Sequence, residues 1–417
     1  MPNPLTALTA LTTLRSTVLA VPLPAITYSL AAPTGQRWAL PWKDVATFVG
    51  MSATYNPDLG ILNIDNPGGL QGIEFFFTGA SFTFGWRTQT SGAERCMVFV
   101  NGAPCMAAPA TPTVPTTASQ YAYMTVTLAA PLKDAKIEVL VTSIFGAVGL
   151  YTPSDAFTRA APVKYRTMCY GDSFFGGSDA IADFTDLIPS VLALRNDLSM
   201  ANNSLGGTGY VTDNGIFKRF GDPSRVALAA AFAPDRVILL GSVNDDAKDG
   251  IRAAAEATYI ALREAVPGVT LVACGPQPTN ATSTIGGPRR ANNQAVRAAC
   301  AAQGVTFIDL IGHAGSGPID AFVGSGTYQP MQLVTHLGSV WQHDATTAGT
   351  YPWAYAPGNG SQSGIWRLMT RAGYYGTGDV GMPQGDGSRD TLLYSDQVHP
   401  TAAGSANFAA EIQPLVV

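Results

Sequence analysis

The residues best suited to bond-making chemistry lie in four short segments, far apart along the chain. Tyr170-Gly171-Asp172-Ser173-Phe174-Phe175-Gly176-Gly177 places a serine directly after a strand-like run. A serine acts as a nucleophile when a sharp turn at a strand end exposes its hydroxyl and aims its own N–H at the reacting carbonyl. Glycine gives such a turn its freedom. Alone, Gly-Asp-Ser is more often merely a turn. Tyr394-Ser395-Asp396-Gln397-Val398-His399-Pro400 sets a carboxylate three residues before an imidazole. Asp396 can fold back on His399, fix its tautomer and stabilise the cation formed when it takes a serine proton. The bland alternative makes Asp396 a turn residue and Pro400 the first residue of a helix.

The third segment, Val237-Ile238-Leu239-Leu240-Gly241-Ser242-Val243-Asn244-Asp245, ends an apolar strand with an amide side chain. Asn244 can donate to an oxyanion, although Asn244-Asp245 also reads as a cap for a following helix. The fourth, Asn202-Asn203-Ser204-Leu205-Gly206-Gly207-Thr208-Gly209-Tyr210, is a glycine-rich turn able to present a bare N–H to developing negative charge. It lacks the Lys and Ser/Thr spacing of a phosphate loop.

The remaining histidines, His313, His336 and His343, lie in one long segment without further ligands at short spacing, so no metal and no cofactor is expected. His343-Asp344 could imitate a catalytic pair, but bracing a loop is the simpler role. Five cysteines without a CxxC make neither a zinc site nor a full disulfide framework. Cys96 and Cys105 flank Asn101-Gly102-Ala103-Pro104 and could pair across a hairpin.

Two rhythms must position these groups. From about 72 to 151, short β-favouring runs (Ile73–Phe77, Ser81–Trp86, Cys96–Val100, Ala122–Leu128, Lys136–Ser143) alternate with turn clusters, the pattern of an antiparallel sandwich. The first seventy residues show only strand-like pieces at Arg15–Val21 and Val45–Val49. After Pro162 strands and helices alternate. Strands are expected at Lys164–Tyr170, Asp235–Leu240, Val269–Cys274 and Val305–Leu310. Helices are expected at Asp183–Arg195, Asp246–Val266, Arg289–Gln303 and Thr401–Ile412. Such alternation builds a parallel sheet covered on both faces, with reactive groups at the carboxyl ends of the strands. The expected division is a β-sandwich over 1–160 and an α/β domain over 161–417, the latter interrupted by a long insertion at about 312–393. Trp341, Tyr351, Trp353, Tyr355, Trp366, Tyr374 and Tyr375 in that insertion could stack on sugar rings or fill a small core.

The four segments, in this order and each at a strand end, resemble the SGNH/GDSL hydrolases. Gly171-Asp172-Ser173 matches the first block of that family and the Gly206-Gly207 loop the second. Gly241-Ser242-Val243-Asn244-Asp245 matches the third, and Asp396-x-x-His399-Pro400 the last. The resemblance runs from about Val163 to the end of the chain. It implies a three-layer α/β/α domain, here preceded by a jelly-roll-like antiparallel β-sandwich. It also implies two-step acyl transfer by Ser173, His399 and Asp396, with an oxyanion hole from the N–H groups of Ser173 and Gly207 and the side chain of Asn244. Gly206 is the rival donor to Gly207, and Asp172 is expected to be structural.

A sandwich before such a domain is similar to the layout of several microbial carbohydrate esterases. The leading expectation is a serine esterase that removes O-acetyl groups from a glycan. Two other readings stay open: a viral tail or surface protein that binds glycan or assembles, with the esterase auxiliary, and a lipase or thioesterase.

Composition bounds the rest. With 46% hydrophobic and 13% charged residues over 417 positions, the chain is globular rather than disordered. A net charge of −5 and the absence of any basic run argue against a nucleic-acid partner. No stretch reaches the about 20 apolar residues of a membrane span. Met1 to Thr13 holds no charged side chain, so the start reads as mature sequence rather than a signal. The sequence assigns no localisation, extracellular and virion-associated placements being among the open ones, and homo-oligomer or virion assembly stays open with it.

Overall fold

The computed structural model describes residues 24–38, 47–49, 53–56, 61–64, 71–88, 95–106, 117, 119–141, 144–163, 165–177, 186–277, 287–310, 321–329, 332–336, 339–343, 347–351, 357, 365–370 and 399–416.

Two long strands, Gln71–Thr88 and Tyr121–Val141, form the spine of an eleven-stranded antiparallel sheet. They pair from Gln71 opposite Val141 to Arg87 opposite Tyr121, and the register slips at Gly79. The paired runs expected from sequence on each of these segments are thus halves of single strands. The turn residues between them mark a bend rather than an end, as a bulge does. Alternate residues point inward, so Phe75 and Phe77 from one half meet Phe82 from the other edge-to-face, each at 5.4 Å between centroids. Cys96 and Cys105 are buried in this unit and form no disulfide with each other. The segment Arg15–Val21 lies outside the described residues.

The second unit is a five-stranded parallel sheet: β1 Arg166–Gly171, β2 Ser199–Ser204, β3 Arg236–Leu240, β4 Thr270–Cys274 and β5 Thr306–Ile308, in the order β2-β1-β3-β4-β5. Its helices are α1 Ser173–Gly176, α2 Ile188–Asn196, α3 Pro223–Phe232, α4 Ile251–Ala265, α5 Gly287–Gln303 and α6 Ala402–Val416. Successive strand residues serve opposite faces. Cys169, Ile238, Val272 and Cys274 pack with Leu192 of α2 and with Phe408 and Ile412 of α6. Tyr170, Val237, Leu239 and Ala273 pack with α3, α4 and α5. This is the expected α/β architecture with an N-terminal β-rich unit. Phe99 and Leu140 of that β-rich unit join the α2–α6 face, and Lys136 reaches both Glu74 (2.5 Å) and Asp197 (3.4 Å) beside it.

Two local readings change. The helix expected from Asp246 starts at Ile251, because Val243–Asp245 forms a 3₁₀ turn and Gly250, at φ +78°, is the N-cap. Strand β2 and helix α3 went unassigned in the sequence reading. The polar run Ser199–Ser204 looks like a loop, yet it is wholly buried, with Asn202 donating to Phe175 O (3.0 Å) and Asn203 to Arg225 O (3.2 Å). The insertion has its own short strands and a small core of Phe322, Tyr328, Val334, Trp341 and Trp366. Trp353, Tyr355, Tyr374 and Tyr375 lie outside the described residues. No helix among the described residues is long and apolar enough to cross a membrane.

Phe408 is fully buried and meets Phe174 and Phe175 edge-to-face at 5.3 and 6.3 Å. Phe408→Ala is expected to cost about 3–5 kcal/mol of stability, the range for deleting a buried ring, as read from urea unfolding. An unchanged midpoint would show that α6 docks by other means.

Candidate active site

Strand β1 ends in Gly171, and Asp172 caps the short helix α1 by accepting from Phe174 N at 2.8 Å. That cap puts Ser173 on the first turn, half-buried, while Phe174 and Phe175 plunge into the core. His399, 226 residues away in sequence, presents Nε2 to Ser173 Oγ at 2.7 Å. Thr401 Oγ1, two residues further, accepts from Gly404 N at 3.1 Å at the start of α6, which follows the histidine. Asp396 lies outside the described residues.

Asp172 has no exposed surface. Besides Phe174 N it accepts from Ser242 Oγ (2.7 Å), Gln277 Nε2 (3.0 Å) and Asn244 Nδ2 (3.3 Å). Burial pushes its carboxyl above the usual carboxylate range, while the bonds from Ser242, Gln277 and Phe174 and the nearby His399 pull it back down. Its carboxyl is fully engaged as the tie between the ends of β1, β3 and β4.

Asn244 is half-buried, and its Nδ2 faces Ser242 Oγ (2.8 Å), Thr208 O (3.1 Å) and Asp172. Three acceptors around one nitrogen settle which end of the amide is which. Asn244 does not cap α4, as the simpler sequence reading would have it. Instead it pins the carbonyl of the residue after Gly207.

Gly206 and Gly207 sit in the turn that follows β2. A Cβ built on Gly206 would lie 3.7 Å from Ser173 Cβ, so this turn borders Ser173. Two buried ionisable side chains hold the surrounding loop: Asp245, which the sequence offered as a helix cap, and Arg225, which it did not single out. Asp245 accepts from Tyr210 N (2.6 Å), Val211 N (3.3 Å) and Thr212 Oγ1 (2.7 Å). Gly209 permits this approach, since a Cβ there would come within 2.4 Å of that carboxyl group. Arg225 is 2% exposed and lies between the rings of Tyr170 and Phe220 at 5.1 and 5.0 Å. It donates to Thr208 Oγ1 (3.2 Å), Lys218 O (2.9 Å) and Asn203 O. Burial lowers its pKa to about 10. A lone arginine two residues into a helix gives no signal of this role. On the far side, Arg289 binds Gln277 O (2.5 Å) and Asp246 (2.6 Å), and Asn292 donates to Ser242 O (2.9 Å).

His343 is buried in the insertion, with its ring nitrogens bonded to Gln329 O (2.9 Å) and Tyr351 Oη (2.8 Å), and His336 meets Phe322 edge-to-face. His313 and Asp344 lie outside the described residues. Among the described residues no cluster of His, Cys, Asp or Glu could hold a metal.

Residues 169–338 match the model of the GDSL-like Lipase/Acylhydrolase family. This segment is a GDSL-like acylhydrolase domain. The family is one of lipases and acylhydrolases, so the domain is of the ester-hydrolase kind. No curated protein matches the chain by sequence. Among solved structures, a salicylyl-acyltransferase from a tetracycline biosynthetic pathway is similar at 13% identity and a TM-score of 0.50, covering 69% of this chain and 89% of its own. An acetyl xylan esterase from the rumen bacterium Butyrivibrio proteoclasticus aligns at 14% identity and a TM-score of 0.44, over 66% and 90%. A family two carbohydrate esterase from Clostridium thermocellum, solved with cellohexaose, aligns at 15% and 0.42, over 66% and 91%. At such identity the acyltransferase likeness is one of fold.

Burial also holds the Asp245 carboxyl above its ordinary range. A carboxyl with a raised folded pKa favours folding in its protonated form. Its contribution is therefore complete below the ordinary carboxylate pKa and is lost as pH rises through the raised value. Urea unfolding at stepped pH should show wild type losing stability relative to Asp245→Asn across that window. Parallel profiles would mean that Asp245 titrates normally.

Proposed function

We propose that the domain hydrolyses a carboxylic ester through an acyl-enzyme on Ser173. The observation that carries this reading is the 2.7 Å contact between Ser173 Oγ and His399 Nε2 at the carboxyl edge of the parallel sheet. In the first step His399 Nε2 takes the hydroxyl proton as Oγ attacks the carbonyl carbon, and the carbonyl π pair moves to oxygen. Collapse of the tetrahedral species expels the alcohol, which receives the proton from His399. A water then gives its proton to His399, attacks the acyl carbon, and the acid leaves as Ser173 is reprotonated. Asp396 holds the imidazolium. The N–H groups of Ser173 and Gly207 receive the oxyanion together with the Asn244 amide, which shares a hydrogen now directed at Thr208 O or Ser242 Oγ.

The substrate we favour is a small acyl group, acetate, esterified to a carbohydrate. Support comes from the β-rich unit placed before the hydrolase domain and from the glycine turn crowding the nucleophile. The two phenylalanines after Ser173 are committed to the core, which leaves them no part in an acyl channel.

Hydrolysis of an aryl ester series of increasing chain length, with acetylated xylan or cellulose oligosaccharides alongside, tests both levels. Wild type should prefer acetate and release acetic acid from the glycan. Ser173→Ala should lose about a thousandfold or more. Asn244→Ala should lose about 10²–10³-fold in kcat, and Asp396→Asn up to roughly 10⁴-fold with the fold intact. Preference for long acyl chains would replace the deacetylase with a lipase or thioesterase. Undiminished turnover in Ser173→Ala would end the mechanism.

A further inference from the structure

The turn bearing Gly206 and Gly207 is held from outside by a residue beyond the catalytic segments. Thr208 N donates to Leu205 O at 3.3 Å, closing a four-residue turn with the two glycines at its centre. Gly207 has φ +74°, whereas Gly206 lies outside the left-handed range, the pattern of a type II turn. With glycine at both central positions, the peptide between them is free to rotate at little steric cost. Something must select its orientation.

Asn214 supplies that selection. Its Nδ2 donates to Gly206 O at 3.0 Å. The carbonyl of Gly206 and the N–H of Gly207 belong to one trans, planar peptide, so they point in opposite directions. The glycine substituents mark the same two sides. A Cβ on Gly207 would fall 2.4 Å from Asn214 Nδ2, whereas one on Gly206 would face Ser173 Cβ at 3.7 Å. Drawing the carbonyl toward Asn214 turns the Gly207 N–H toward the nucleophile. It also polarises that peptide, which makes its N–H a better donor.

Asn214 is itself fixed. It exchanges both backbone hydrogen bonds with Phe217, each at 2.9 Å, in a tight hairpin with Gly215 at φ +58°. Next to it, Asp213 accepts from Arg219 N at 2.7 Å, and Thr212 Oγ1 is bonded to Asp245 and to Asn244 O at 2.7 and 3.0 Å. The hairpin is thus tied to the β3 loop that carries Asn244.

We infer that Asn214 is a positioning residue of the oxyanion site, selecting the Gly206–Gly207 peptide orientation that presents the Gly207 N–H to the reacting carbonyl. The inference rests on the acyl-transfer reading above. Asn214 is exposed, so its replacement leaves the core untouched.

The test is Asn214→Ala and the isosteric Asn214→Asp in the full chain, assayed on an aryl acetate. The carboxylate keeps the shape but has no N–H to offer. Both variants should lose about tenfold to a hundredfold in kcat, less than the about 10²–10³-fold of deleting a donor outright. KM, Tm and the histidine limb of the pH profile should hold. A crystal structure of Asn214→Ala should show the Gly206 carbonyl rotated, a readout that needs no turnover. An inactive wild type would therefore strike the acyl-transfer reading and leave this arm legible. Wild-type kcat in both variants, a loss carried by KM or Tm, or an unrotated peptide would each overturn the inference.

Discussion

A carboxyl group with no exposed surface, that of Asp172, lies beside Ser173, and the rest of the site hangs from it. Taking a charge of that size out of water costs several kcal/mol even after relaxation. Asp172 offsets this with four donors: Phe174 N, Ser242 Oγ, Gln277 Nε2 and Asn244 Nδ2. Those donors come from α1, from the loop after β3 and from the loop after β4. The cost of leaving any of them unmade therefore acts to hold three strand ends together. In a parallel sheet of order β2-β1-β3-β4-β5, β1 lies between β2 and β3, and its carboxyl end is where the chain departs to both sides. A tie placed there sets the distances between loops that have no covalent connection.

The polar groups around the site divide by exposure. Asp172, Ser242, Asp245, Gln277 and Arg225 are buried and bonded, whereas Ser173, Gly206, Gly207, Asn244 and His399 are half-buried. Buried hydrogen bonds resist distortion because each broken bond strands a polar atom in a low-dielectric medium. Ser173, Gly206, Gly207, Asn244 and His399 thus sit on rigid supports without being enclosed themselves. Arg225 illustrates the division. It touches neither Ser173 nor His399 in any described bond, yet its contacts with Asn203, Thr208 and Lys218 bracket the loop that carries the glycine turn.

Legibility from sequence followed the same division. Residues whose role depends on backbone freedom or on type, such as Gly171, Ser173, His399 and the paired glycines, stand out because few other residues could fill those positions. Strands β1, β3 and β4 stand out because burial on both faces demands unbroken apolar runs. Strand β2 did not, because Asn202 and Asn203 replace apolar packing with hydrogen bonds to distant carbonyls that no local pattern records. The late start of α4 was hidden for a similar reason. Asp245 and Asp246 look like first-turn acids, but their carboxylates are engaged by Tyr210 N and by Arg289, Asp245 pairing with the loop after β2 and Asp246 with α5. In the β-rich unit, turn residues at the bend around Gly79 broke one long strand into two apparent ones.

The hardest distance to set is the one between Ser173 and His399, since 226 residues separate them. The two aromatic residues that follow the serine resolve it. Phe174 and Phe175 both turn into the core and meet Phe408 of α6. His399 lies nine positions before Phe408, just ahead of the same helix. Ser173 and His399 are therefore clamped by the rings of Phe174 and Phe175, directly after the serine, and of Phe408, in the helix that follows the histidine. Ring packing tolerates little displacement, because close-packed interiors lose dispersion contacts and gain strain with sub-ångström shifts. The Ser173–His399 hydrogen bond can then form across a sequence gap of 226 residues.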